Sequence, residues 1–261
     1  MKVIIMSAGI GSRCGELTKD IPKSLLDING HSILERQILV LRKLGISDIN
    51  VIIGPHTKKF TFENISFIQD ENYLEHDILG SLMEARSIML DEIIIIYGDV
   101  IFDEQVLQEL INFNGLIGLG IDLNWEEKYV GKNLELKQEA STVQTKNNIC
   151  KTIVDGREHM MSKNKINLKS SEHTKEKTGE FIGLMKLSKQ GSTIFIKRYE
   201  ELINSHSGPF HQSQSISKAY FTDMLQELID NNVEIFSIPI QGKWCEIDTP
   251  DDVNIAKQIF R

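Results

Sequence analysis

MKVIIMSAGIGSRCGELTKDIPKSLL, residues 1–26, decides how the rest of the chain is read. Residues 2–6 are a short apolar run with the composition of a buried strand. Ser7-Ala8-Gly9-Ile10-Gly11-Ser12-Arg13 follows without a break. Small residues there let the backbone pass close to a ligand and turn N–H groups toward an anion. Arg13 adds a bidentate donor suited to phosphate, and Lys23, just after Pro22, adds a point charge. A strand, a glycine turn and two cations in one stretch imply a polyphosphate site. The spacing is not the dinucleotide fingerprint GxGxxG, and no Gly-Lys-Ser/Thr follows to make a Walker loop. An ordinary strand-to-loop turn is the competing reading, and the two cations weigh against it.

Outward from this loop, Ile28-Asn29-Gly30 reads as a tight turn. Ser32 is an N-cap, with Glu35 three residues on to complete a capping box. Ile33, Leu34, Ile38, Leu41 and Leu44 keep helical spacing, and Gly45 stops the helix. Residues 49–53 and 65–68 read as strands. Residues 77–89 read as a helix with Ile78, Leu82, Ala85 and Met89 on one face. Ile93–Tyr97 is continuously apolar, as in a central parallel strand covered on both sides, and it ends in Gly98-Asp99. A helix over 103–111 and a strand over 115–121 complete the order β, α, β, β, α, β, α, β. This order predicts an α/β fold with a mostly parallel sheet and helices on both faces.

The pattern changes after Asp122. Residues 146–177 are rich in Lys, Asn, Ser and Glu and are expected to be strand pieces joined by solvated loops, 163–177 being the most mobile. Strands are expected over 181–187 and 233–238, and helices over 192–203 and 217–230. Pro250 starts a last helix, with Asp251 and Asp252 in its first turn. No repeat or linker interrupts the chain, so one continuous domain over 1–261 is expected.

The 261 residues are 41% hydrophobic, enough for a full core, and the formal net charge is −8. That charge argues against broad binding to nucleic acid or an anionic membrane. The apolar start is too short for a signal peptide, and no apolar run could span a bilayer, so a cytoplasmic protein is expected. Cys14, Cys150 and Cys245 are too few and too far apart for a disulfide framework or a zinc site and read as packed thiols. No serine stands in a nucleophile elbow and no histidines form HExxH, which removes serine hydrolases and zinc proteases.

Two aspartates are metal candidates. Asp99 follows a buried strand directly and so stands at the carboxyl edge of the sheet, where open α/β folds bind ligands. Asp248, in Glu246-Ile247-Asp248-Thr249-Pro250, lies between a strand-like segment and a helix start. Mg²⁺ needs only one or two carboxylates besides substrate phosphates. Each aspartate could instead be a turn or cap residue. Trp244 could be core or an aromatic wall for an ammonium group.

SAGIGSR with the downstream IPKSLL resembles the signature of the sugar-phosphate nucleotidyltransferases. HDILGSLMEA, IIIYGDVIF, the Trp125…Tyr129-x-Gly131-Lys132 spacing, GEFIGLMKLS, AYFTDMLQELID and GKWCEIDTPDD resemble, in order, the cytidylyltransferases that accompany phosphoenolpyruvate mutase in phosphonate biosynthesis, with bacterial phosphocholine cytidylyltransferases as near relatives. The resemblance implies a Rossmann-like nucleotidyltransferase fold, with a nucleotide-binding half (1–121) and an acceptor-binding half (122–261). It implies a Mg²⁺-dependent enzyme that transfers CMP from CTP to a small phosphonate or phosphate, 2-aminoethylphosphonate-like, and releases pyrophosphate. Ala8 and Gly9 would touch the nucleotide through the backbone. Gly11, Ser12 and Arg13 would hold the triphosphate, and Lys23 would neutralise charge near the α-phosphate. Ser81 would bind the nucleotide, and Asp77 would lie near the base, accepting from the cytosine amino group unless it is simply the N-cap of its helix. Asp99 and Asp248 would hold Mg²⁺. Glu180, Trp244 and Glu246 would face the acceptor. No nucleic-acid or membrane partner is implied, and a homodimer is admitted.

This sequence departs from the resemblance at three places. Lys132 stands where Arg is usual, Ser141-Thr142 where a Glu-Lys pair is usual, and Cys245 where a second aromatic is usual. These departures touch the acceptor more than the chemistry. A phosphocholine or sugar-1-phosphate nucleotidyltransferase using CTP, UTP or dTTP, and a catalytically silent nucleotide-binding regulator, are the alternatives.

Overall fold

The computed structural model describes residues 1–129, 137–156 and 176–261. The sequence motif positions Gly131 and Lys132, and most of the solvated stretch expected over 163–177, lie outside the described residues. The strands in chain order are β1 (Lys2–Ser7), β2 (Asp27–Ile28), β3 (His31–Ser32), β4 (Ile49–Ile53), β5 (Ser66–Gln69), β6 (Ile93–Tyr97), β7 (Val100–Phe102), β8 (Ile117–Asp122), β9 (Thr142–Lys146), β10 (Ile149–Val154), β11 (Glu176–Leu187), β12 (Phe236–Pro239) and β13 (Trp244–Glu246). The α-helices are α1 (Ile33–Lys43), α2 (Ile78–Met83), α3 (Glu104–Asn112), α4 (Lys189–Ser205), α5 (Phe221–Asp230) and α6 (Pro250–Ile259).

The main sheet runs β5-β4-β1-β6-β11-β8-β12-β10-β9. The first four strands in this order pair in parallel, and antiparallel pairing begins where β11 lies against β6. The sheet is therefore mixed, its parallel part carrying the N-terminal loop. Along β1 and β6 alternate residues enter different cores. Ile4, Met6, Ile93 and Ile95 pack with Leu79, Phe195 and Phe221 from α2, α4 and α5. Val3, Ile5, Ile94 and Ile96 pack with Leu34, Ile38 and Leu107 from α1 and α3. This double cover is why Ile93–Tyr97 has no polar alternation.

Local signals set most boundaries. Ser32 accepts from the Glu35 N–H at 3.1 Å as the N-cap of α1, while the Glu35 carboxylate pairs with His31 at 3.0 Å. Asn29 (φ 55°) and Gly30 (φ 87°) turn the β2–β3 hairpin. Thr249 and Asp252 form a full capping box at α6, with Pro250 inside it.

Two expected helices are shorter than their apolar pattern. The helix over 77–89 ends at Met83 and resumes as a 3-10 turn at Arg86–Ile88. The helix over 217–230 begins at Phe221, after a separate turn at Ile216–Lys218. The second break has a clear cause. The Ser217 and Ala219 carbonyls accept from the N–H groups of Asp77 and Leu79, at 2.9 and 3.3 Å. These bonds satisfy donors at the start of α2 that no helical carbonyl can reach. No helix among the described residues is long and apolar enough to cross a membrane.

Candidate active site

The glycine loop leaves the end of β1 between two neighbouring strand ends that also carry glycine. A Cβ at Gly54 would lie 2.4 Å from the Ala8 carbonyl oxygen, and one at Gly98 would lie 2.3 Å from that of Met6. Either would drive the loop outward. Gly11 has φ +68°, and a Cβ there would meet the Lys23 stem at 2.9 Å, so both the turn and the seat of Lys23 require glycine. A Cβ at Gly9 would touch nothing within 4 Å, because that backbone faces the open cleft. The Thr18 hydroxyl donates to the Gly11 carbonyl at 2.8 Å, and a short Ser7–Ser24 hydroxyl bond ties the two ends of the loop.

Asp99 is held at the β6–β7 turn by buried Gln37 of α1. The Gln37 amide donates to the Tyr97 and Val100 carbonyls at 2.8 and 2.7 Å. β13 pairs antiparallel with β7, Glu246 opposite Val100, and the Ile247 N–H donates to the Asp99 carbonyl at 2.9 Å. This pairing brings the far end of the chain to the first half. Asp248 follows, its N–H bonded at 3.2 Å to the capping carboxylate of Asp252 and its carbonyl accepting from the Cys14 thiol at 3.3 Å.

Asp99, Glu246 and Asp248 each offer a carboxylate oxygen, all within 4.8 Å of one another. Lys23 lies between two of them, 2.9 Å from Asp99 Oδ2 and 2.5 Å from Asp248 Oδ1. Burial pulls the Lys23 pKa down, but Asp99 and Asp248, and then Glu246, outweigh it, and the net direction is well up. The ammonium is thus charged at any working pH. Arg13 spans Asp248 at 2.7 Å and Glu139 at 2.9 Å. Asp99 Oδ1 is buried and has no hydrogen-bond partner among the described residues. An orphaned carboxylate oxygen beside two more carboxylates, with an all-oxygen donor set, fits a hard divalent cation such as Mg²⁺.

Three adjoining cavities that share lining residues meet here. One of about 460 Å³ is lined by Gly9, Gly11, Ser12, Arg13, Lys23 and Asp99. A second, about 200 Å³, contains Ala8, Asp77 and Ser81 with Tyr73 and Tyr220. A third, about 360 Å³, contains Glu180, Trp244, Glu246 and Asp248. All the residues singled out from the sequence therefore line one groove. Asp77 makes no side-chain cap bond to its helix. Ser81 is engaged behind the groove, its hydroxyl donating to buried Asp70 at 2.6 Å.

The third cavity differs most from expectation. Glu180, one residue before the strand expected over 181–187, is inside β11, 3% exposed, and accepts from the Tyr129 hydroxyl at 2.7 Å. Burial first, and then Glu180, push the Tyr129 phenol well above its usual range, which keeps it a donor. Trp244 is buried, and its indole N–H donates to Asp122 at 2.9 Å. The ring face expected to receive an acceptor's ammonium carries Lys128 instead, its Nζ 3.1 Å from the ring centroid. Sequence reasoning missed Lys128, Asp122, Glu139 and Tyr220. Only Tyr220 had a signal, its place in AYFTDMLQELID. Of the cysteines, Cys14 and Cys150 are buried and Cys245 is partly so, all three as free thiols. Burial raises the Cys150 pKa to about 12.

Comparison with known proteins bears on the fold and the domain class. Residues 3–114 match the MobA-like NTP transferase domain. The CTP:phosphoglutamine cytidylyltransferase of Campylobacter jejuni is 26% identical over 268 residues, covering 98% of both chains. A 2-aminoethylphosphonate cytidylyltransferase of Lancefieldella rimae is 31% identical over 91 residues, which is 33% of this chain and 37% of that one. The structure of the CTP:phosphocholine cytidylyltransferase of Streptococcus pneumoniae superposes with a TM-score of 0.70 at 16% identity, over 100% of this chain and 99% of that one, a likeness of fold. Residues 3–114 thus form a domain of the nucleotidyltransferase class, and the chain has the fold of solved nucleotidyltransferases. More particularly, it carries a MobA-like NTP transferase domain, and its homologues include cytidylyltransferases.

Proposed function

We propose that the protein transfers CMP from CTP to a small phosphonate or phosphate acceptor carrying an amino group, 2-aminoethylphosphonate-like, and releases pyrophosphate. One observation carries this reading. Asp99, Glu246 and Asp248 converge with Lys23 and Arg13 where the glycine-loop cavity meets the third cavity, Arg13 lining both and pairing with Asp248 of the third. The relatives named above, one for a phosphoamino acid and one for an aminophosphonate, support a phosphorylated or phosphonylated amine as acceptor. A cytoplasmic location goes with this reading.

The glycine loop offers backbone N–H groups to the triphosphate, and Arg13 is placed to leave Glu139 for phosphate oxygens. Lys23 holds a proton permanently and presents positive charge at the α-phosphate. Asp99 and Asp248 would hold Mg²⁺, which supplies charge neutralisation on the phosphates. An acceptor oxygen bonds to the α-phosphorus as the bond to the pyrophosphate oxygen breaks, and pyrophosphate departs with that electron pair. The attacking oxygen is already anionic, so no strong general base is required. Positioning and electrostatics are what remain for the protein to supply.

The test is pyrophosphate release from each of CTP, UTP, ATP, GTP and dTTP against a panel of acceptors. The expected result is a preference for CTP with an aminated phosphonate or phosphate. Release with a sugar 1-phosphate alone, or equal use of all nucleotides, contradicts the proposal. The base pocket has its own test. Asp77→Asn is expected to reduce the CTP-over-UTP ratio of kcat/KM by about tenfold, the scale of one lost carboxylate–amino contact. An unchanged ratio removes Asp77 from base selection.

A further inference from the structure

The acceptor cavity contains a cation that no motif announced. Lys128 leaves the short turn Trp125–Tyr129 and lays its ammonium on the face of Trp244, 3.1 Å from the centroid. It also pairs with Asp122 Oδ2 at 2.5 Å, and 36% of its side chain stays exposed to the cleft. Asp122 does not depend on this ion pair, because it also accepts from the Trp244 indole at 2.9 Å and the Asn124 N–H at 2.8 Å. A lysine ammonium has three donors. One is committed to Asp122 and one points at the ring, which leaves one for the cavity.

An aromatic face in this position would otherwise suit a choline-like or simple aminoalkyl head. Here that face is already taken, and a second ammonium beside Lys128 would meet like charge. Elsewhere the same cavity is lined by Glu180, which Tyr129 holds, by Glu246, and by Arg13, whose charge is met by Asp248 and Glu139. A pocket with a cation on one wall and carboxylates on the others matches a head group that carries both charges.

We propose that Lys128 is the specificity-determining residue of the acceptor pocket, binding the carboxylate of an amino-acid-type acceptor whose ammonium faces the Glu180 and Glu246 wall. The proposal rests on the cytidylyl-transfer reading for the location of the acceptor. It adds that the acceptor is a phosphorylated or phosphonylated α-amino acid, favoured over the same compound lacking its carboxylate.

Two matched pairs differ only in that carboxylate: O-phosphoserine with phosphoethanolamine, and 2-amino-3-phosphonopropionate with 2-aminoethylphosphonate. Calorimetric titration of the full chain with each, in the presence of Mg²⁺, reads binding without turnover. The carboxylated member of each pair is expected to bind about tenfold tighter or more, as for one charge-assisted contact in a partly buried site. Lys128→Met is expected to bring it to the level of its partner, whereas Lys128→Arg keeps the preference. Equal binding within the pairs, tighter binding of the amine-only members, no binding of any of the four, or a preference that survives Lys128→Met would each overturn the proposal. Should Lys128→Met fail to fold, the wild-type pairs and Lys128→Arg still decide it. Pyrophosphate release from CTP with the same four compounds scores the underlying reading separately, since its absence contradicts cytidylyl transfer whatever the binding data show.

Discussion

Asp99→Ala is expected to lower kcat/KM for pyrophosphate release by about 10³-fold or more, the scale of removing a principal source of charge neutralisation at a phosphoryl centre. The fold is expected to persist. Asp99 stands at a strand end, and the bonds that fix its backbone involve Gln37, Met6 and Ile247 rather than its own carboxylate. Its Oδ1 contributes no hydrogen bond among the described residues, so its removal relieves an unsatisfied buried atom. Lys23 keeps its contact with Asp248. Asp248→Ala is expected to be as inactive, with a somewhat larger loss of stability because Arg13 and Lys23 both bond to it. The measurement is steady-state pyrophosphate release together with a melting curve. A fully active Asp99→Ala protein contradicts the assignment of the carboxylate cluster to a metal.

Lys23→Met should be the second largest effect. The substitution keeps an apolar stem of similar length beside Gly11 but removes the charge shared by Asp99 and Asp248. Turnover is expected to fall by about 10²–10³-fold, as for loss of one preorganised charge at the transition state. Stability should respond in a diagnostic way. Without the ammonium, three carboxylates face one another in a partly buried place, and their repulsion lowers the melting temperature. Added MgCl₂ should restore much of that loss, and its effect on the wild type should be smaller because Lys23 already occupies the space between the carboxylates. Thermal shift against MgCl₂ concentration reads this difference. Equal shifts in both proteins would show that Lys23 and the metal do not share these ligands.

Local chemistry made one side of this site readable from the sequence. The strand over 2–6, the glycine loop, Arg13, Lys23 and the aspartate closing Ile93–Tyr97 each carry a signal in their neighbours, and the parallel half of the sheet follows from βα alternation. The other side depends on pairings between distant segments. β7 and β13 are three residues each, too short to stand out, yet their register delivers Glu246 and Asp248 to Asp99. The placing of β11 between β6 and β8 is a long-range choice of the same kind. It buries Glu180, although glutamate is usually exposed. Glu139 and Lys128 are ordinary charged residues until the fold sets them against Arg13 and Trp244. The helix over 217–230 shows the converse: its apolar pattern is real, but residues 217–220 leave the helix because the start of α2 requires the Ser217 and Ala219 carbonyls.

The central claim is group transfer to an acceptor's phosphorus-bound oxygen, and ³¹P NMR of wild-type protein with Mg²⁺, CTP and 2-amino-3-phosphonopropionate or O-phosphoserine tests it most directly. The predicted result is a pair of mutually coupled resonances from a new P–O–P linkage between CMP and the acceptor, growing in equal amount with inorganic pyrophosphate. Consumption of CTP to free CMP or CDP with the acceptor resonance unchanged, or no consumption of CTP with any aminated phosphate or phosphonate, would contradict it.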